Sequence, residues 1–181
     1  MSTFFCGKPL YEMEKVKIKV LKRIPEIKVG NEVLGPLAQD QELEVERWIA
    51  NILKDGGYVE IVDDKSIDLK VISKVAWGEN RTSQLLQLEP TFYVKAKSYL
   101  KLLNERAKNN PEVLNEKRIA EVKLTDIINC RIQKIVNMAL MGTQPPKEVF
   151  ERLAPEEKIF FNELVNLILR WRRSIRGEDN G

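Results

Sequence analysis

Asp126-Ile127-Ile128-Asn129-Cys130-Arg131-Ile132-Gln133-Lys134-Ile135 is the stretch whose reading decides the fold. Ile128, Ile132, Ile135 and Ala139 follow one another at steps of four, three and four, the period of an amphipathic helix and not of a strand. The spacing predicts a helix from Val113 to Met141, after the Asn109-Asn110-Pro111 loop and before a break at Gly142–Pro146. Arg131 falls on the edge of that stripe, where a guanidinium is expected to bond carbonyls or a carboxylate at a helix junction, as a structural clamp rather than a ligand contact.

Outward in both directions the helical texture continues. Ile67, Val71, Ile72 and Val75 sit at helix spacing. Phe92, Tyr93, Ala96, Tyr99, Leu100 and Leu103 give a long helix beyond the Glu89-Pro90 break. A last helix is expected from Pro155, a favoured first-turn residue, with Glu156 and Glu157 matching the positive end of the helix dipole. Its apolar side holds Phe160, Leu164, Leu167, Ile168 and Trp171, widened by Phe161 and Val165 past the stripe a monomeric surface helix needs, which suggests burial against a second chain as well as its own bundle.

The first third has another rhythm. Val16, Ile18 and Val20 alternate with Lys15, Lys17 and Lys19, the period-two mark of a half-buried strand. Ile27 and Val29 flank Lys28 in the same manner, Gly30-Asn31 reads as a turn, and Tyr58–Val62 as a further strand. Glu42–Lys54 is expected to be a helix on Val45, Trp48, Ile49 and Ile52, ended by Gly56-Gly57, with Glu42, Glu44 and Glu46 as solvated acids before and within it. The expected fold class is α+β: a small N-terminal β-rich domain at 1–64, a larger all-α helical bundle domain at 65–176 and a flexible tail at 177–181. Charge divides at the same place, with nine Lys/Arg against twelve Asp/Glu before residue 65 and twenty-one against fifteen after it.

Composition narrows the chemistry. The 181 residues are 43% hydrophobic and 31% charged, with a net charge of +3, so a packed core is expected and a dedicated nucleic-acid coat protein is not. Histidine is absent, which removes Ser-His-Asp and Cys-His catalysis and histidine metal ligands. Cys6 and Cys130 fit no zinc or disulfide spacing. The sequence has no glycine-rich phosphate loop. Asp63-Asp64 reads as a solvated pair, since neighbours on a strand face opposite ways. No catalytic, cofactor or metal residue is assigned, and the expectation is a non-enzymatic, soluble, cytosolic protein without a membrane span. The basic end Arg170-Trp171-Arg172-Arg173 with Arg176 is the best nucleic-acid candidate, set against the ordinary preference of cations for a helix C-terminus. A monomeric nucleic-acid-binding adaptor acting through it is the alternative function.

Three stretches, in order, resemble the GINS family of replicative helicase accessory proteins. Gly35-Pro36 followed by Glu44-Val45-Glu46-Arg47-Trp48-Ile49-Ala50 is similar to the family's acidic helix motif, with Arg47 where a proline is usual. Leu88-Glu89-Pro90-Thr91-Phe92-Tyr93 is similar to its "L-x-P-x-(F/Y)-Y" helix start, and Asp126–Ile135 to its "D-(L/I)-x-x-x-R-x-x-K-(L/I)" helix. The order, small domain first, resembles the second/third-partner class and its archaeal form. The resemblance implies a scaffold without cofactors, acting in the helicase (CMG) assembly of the replisome. It implies a 2:2 hetero-tetramer with a second GINS subunit type, and partners in the MCM helicase, a RecJ-like or Cdc-type protein and primase, with DNA contact indirect or weak at most. Localisation would be nucleoid-associated cytoplasm in an archaeon or the nucleus in a eukaryote. It places Trp48, Phe92, Tyr93, Arg131 and Lys134 in the motif core or a subunit seam, and Phe160, Leu164, Ile168 and Trp171 at a subunit interface.

Overall fold

The computed structural model describes residues 7–29, 32–63, 66–142 and 144–177. The Gly30-Asn31 turn, Cys6, Asp64 and the tail beyond Gly177 lie outside them. A strand-rich region precedes a helical bundle, so the fold is α+β. The chain divides into two compact units, Pro9–Ser66 and Ile67–Gly181, the latter including Met1–Lys8.

The smaller unit follows α1 (Gly7–Met13) with β1 (Lys15–Val20), β2 (Ile27–Val29), β3 (Glu32–Leu34), β4 (Glu42–Glu46), α2 (Arg47–Asp55) and β5 (Val59–Asp63). β1 is the middle strand of an antiparallel sheet ordered β4-β1-β5, and β2 pairs with β3. The alternation of β1 does what period two dictates. Val16, Ile18 and Val20 are buried, while Lys15, Lys17 and Lys19 stand opposite Glu46, Glu44 and Glu42 of β4. That register corrects the expected helix from Glu42. Glu-Leu-Glu-Val-Glu alternates as a strand, and its acids face the lysine row. The helical period begins only at Arg47. Lys17 reaches Glu42 at 2.5 Å and holds its carboxyl below the usual range.

Arg47 opens α2 at the position where proline is usually welcome, and it shows why proline is absent here. Its backbone N–H donates to the carbonyl of Glu14 at 2.9 Å, a bond proline cannot make. Its buried guanidinium also lies 4.1 Å from the Tyr11 ring centroid and bonds Glu14 Oε2 at 3.4 Å. Trp48, expected in the motif core or a subunit seam, is partly buried against Val16, Ile18, Val45, Ile49, Ala50 and Leu53. The Gly35-Pro36 bond is cis. Gly35 has φ +102, and a Cβ there would stand 2.9 Å from the Pro25 carbonyl oxygen.

The larger unit holds α3 (Leu69–Arg81), α4 (Phe92–Arg106), a 3-10 turn (Ala107–Asn109), α5 (Pro111–Leu140), α6 (Lys147–Phe150) and α7 (Pro155–Arg176). Starts and stops follow capping chemistry. Asp68 accepts from the Val71 N–H at 2.8 Å, and Asn110 from the Glu112 N–H at 2.9 Å ahead of Pro111. α7 begins at Pro155 and ends at Gly177 with φ 69. α5 packs against α3, α4 and α7. Two apolar clusters result. One joins Ile72, Ala76, Leu88, Phe92, Ala96, Ala120 and Ile127. The other joins Leu85, Ile135, Ala139, Leu153 and Phe161.

The buried line of α5 differs from the expected one at two places, each moved back by one residue. It is Ile127, Arg131, Ile135 and Ala139, while Ile128 and Ile132 remain 37% and 39% exposed. Arg131 is therefore the centre of the inward face and not its edge. A guanidinium can take that place because its donors are met there by carboxylates and carbonyls.

Candidate assembly site

Arg131 lies between the two apolar clusters of the helical unit, one helical turn from Ile127 on one side and from Ile135 on the other. It is 1% exposed. Its Nε and NH2 donate to the two oxygens of Glu157 at 2.6 and 2.7 Å, a fork-to-fork pair. NH1 donates to Glu79 Oε2 at 3.1 Å and to the Leu86 carbonyl at 3.0 Å, and NH2 also to the Arg152 carbonyl at 3.1 Å. Glu79 is itself fully buried, and the Lys134 ammonium donates to Glu79 Oε1 at 2.7 Å, to the Glu79 backbone carbonyl at 2.8 Å and to the Gln84 carbonyl at 3.0 Å. Tyr93 donates its hydroxyl to Glu157 Oε1 at 2.6 Å, and Ala154 its N–H to Glu157 Oε2 at 2.8 Å.

Two cations thus meet two carboxylates, drawn from α3, α5 and α7, with a phenol from α4. Burial opposes the charge of Arg131, but its bonds to Glu157, with Tyr93 and Glu79 adding, outweigh this and leave the guanidinium more basic than usual. Burial, and then the Glu157 carboxylate, push the Tyr93 phenol well above its ordinary pKa, so it stays a donor.

The two helical motif stretches converge here, through Tyr93, Arg131 and Lys134, and Phe92 is 2% exposed beside them. Glu79 and Glu157 complete the cluster and were missed from the sequence. Glu157 fits helix-start electrostatics by its place in the first turn of α7, and it does accept the Ala154 N–H as well. Glu79 carried a legible signal, since it falls in phase with Ile72 and Ala76 on the inward side of α3.

Above this cluster Tyr93, Ile128, Ile132, Ile135 and Phe160 line an open apolar groove of about 260 Å³. The stripe of α7 starts half-buried, with Phe160, Leu164 and Ile168 against the second cluster. Further along it emerges: Leu167 is 56%, Trp171 63% and Ile175 70% exposed. The four arginines of the basic end do not gather on one face. At 100° per residue Arg170, Arg172, Arg173 and Arg176 fan over about 160° of the helix, and Arg172 donates to the Leu140 carbonyl at 3.0 Å, closing the end of α5.

Among the described residues no group of three His, Cys, Asp or Glu side chains could hold a metal ion, and no helix is long and apolar enough to cross a membrane. Fold and site together define a class: a helical-bundle protein with a small strand-rich unit, whose distinctive chemistry is an internal ion-pair cluster under an apolar surface. Residues 66–176 match the family model described as the GINS complex protein helical bundle domain (Sld5). The chain belongs to the GINS family and is a subunit type of the GINS replication complex. A comparison with curated proteins gives no match.

Proposed function

We propose that the chain is a non-catalytic scaffold. It joins a second GINS subunit type in a 2:2 hetero-tetramer that links the MCM helicase with a RecJ-like or Cdc-type protein, and with primase, at the fork. The observation that carries this reading is the outer end of α7. Leu167, Trp171 and Ile175 recur at steps of four and present large apolar side chains to solvent. Removing such surface from water is worth roughly 25 cal/mol per Å². The cluster of Arg131, Glu79, Glu157 and Lys134 holds α3, α5 and α7 in fixed relation, so the apolar stripe is presented as a rigid face. Rim charges would select partner and register.

Size-exclusion chromatography with light scattering, alone and with the second subunit, tests it. The expected result is a complex of about four chains that persists in high salt, as apolar contacts do. Trp171→Asp is expected to abolish it, and Arg172→Ala to leave it intact. Trp171 is a cleaner probe than Leu164, because Leu164 also packs within its own bundle. A monomer that ignores the second subunit, or a folded Trp171→Asp chain that assembles fully, overturns the reading.

A further inference from the structure

The outer face of α3 carries a stripe that the assembly reading does not use. Lys70, Lys74, Trp77 and Arg81 stand at i, i+4, i+7 and i+11. At 100° per residue all four lie within about 60° of arc, on the side away from the buried Ile72, Ala76 and Glu79. All four are exposed, and Trp77 is 62% exposed. Arg81 places its guanidinium carbon 4.2 Å from the Trp77 ring centroid. A guanidinium stacked in this way keeps its edge N–H groups available for an anion. The single acid of α3, Glu79, is turned inward and held by Arg131 and Lys134, so the face has three cations and no carboxylate of its own helix.

An exposed indole set among cations that meet no carboxylate among the described residues fits a ligand that is both polyanionic and flat-faced. We infer that the outer face of α3 binds single-stranded DNA, with a base stacked on Trp77 and backbone phosphates on Lys70, Lys74 and Arg81. Single strands are favoured over duplex because only an unpaired base can offer its π-face to an indole. An acidic peptide would use the cations but leave the indole unmatched. The contrast with the end of α7 is geometric: there the arginines fan round the helix and one closes α5, while here cations and aromatic share one line. The inference rests on α3 alone and stands whether or not the α7 stripe binds a second subunit.

The test is fluorescence anisotropy of the full chain with a labelled oligodeoxythymidylate, at several salt concentrations. Three phosphate contacts predict a log–log salt slope of about −2, and Lys74→Gln should reduce its magnitude by about 0.7. Trp77→Ala should weaken binding roughly 5- to 150-fold, the range for loss of one base stack. Trp77 is exposed, so the variant is expected to fold, which circular dichroism checks. Lys74→Gln gives a second reading that leaves the indole in place. Arg173→Ala should change little. Four results overturn the inference: no binding by the native chain, equal binding by the folded Trp77→Ala chain, duplex of the same length bound as tightly as the single strand, or polyglutamate competing as well as the oligonucleotide.

Discussion

The two units of this chain handle charge in opposite ways. Among the described residues of the strand-rich unit, Arg47 aside, charged side chains stay outside the core. Lys15, Lys17 and Lys19 stand across from Glu46, Glu44 and Glu42, and the core beneath is Val16, Ile18, Val20, Val45 and Ile49. In the helical unit, Arg131 and Glu79 occupy the centre, at 1% and 0% exposure, with Glu157 and Lys134 closing the circuit. The difference teaches where each unit keeps its specificity. The sheet takes its register from the buried alternation of Val16, Ile18 and Val20, and its exposed charge pairs add little. The bundle spends desolvation free energy on a cluster that tolerates only one arrangement.

The sharpest way to break that comparison is Arg131→Ala. It leaves Glu157 buried without its cation and Glu79 with Lys134 alone, and should cost about 3–5 kcal/mol. Hydrogen exchange should show the loss in α3, α5 and α7 amides. If exchange in those helices is unchanged, the cluster is not what holds them. Ile18→Ala, at the centre of the sheet, should cost about 2–4 kcal/mol, read in the amides of β1, β4 and β5. A loss smaller than that of an exposed substitution would mean the sheet core is loosely filled.

Tyr99 sharpens the contrast through pH. Its phenol accepts the Leu69 N–H at 3.1 Å and donates to Glu116. Burial, then the Glu116 carboxylate, push its pKa from 10.0 up to about 12. Above pH 10 the unfolded chain releases this proton while the folded chain keeps it. The stability it gives is therefore whole below pH 10 and is lost as pH rises through about 12. Phenolate absorbance should show a late-titrating tyrosine that Tyr99→Phe removes. The smallest effect is expected from Lys17→Ala. Its pair with Glu42 is exposed at both ends, and chemical denaturation should register less than about 0.5 kcal/mol.

The strand unit was largely legible because its signal is local. Val16, Ile18 and Val20 alternate over six residues, and the lysine row that flanks them announces the outer face. Where the reading failed, at Glu42–Glu46, the same period two was present but was absorbed into the helical spacing of Val45, Trp48 and Ile49. The bundle's helices were legible for a similar reason, through Phe92–Leu103 and the isoleucines of α5. Its centre was only half legible. Arg131 announced itself as a charge on an apolar stripe that must find carboxylate or carbonyl partners. Glu79 and Glu157 lie 52 and 26 residues away from it in the chain, and no local period encodes such a pairing. The wide apolar side of α7 was visible, but not that its inner half belongs to the bundle while Leu167, Trp171 and Ile175 stand clear.

The position of Arg131 on the inward line of α5 also settles a question of sliding. Ile127, Ile135 and Ala139 repeat at multiples of four, so a long helix bearing only such residues could slip by one turn, about 5.4 Å, and bury nearly the same surface. Its neighbours would then offer almost equal resting places, like teeth on a rack. A guanidinium that must meet Glu157, Glu79 and two carbonyls at once has a single tooth to engage. The ion-pair cluster is an indexing pin, and every surface that α5 and α7 show to another molecule inherits its one setting.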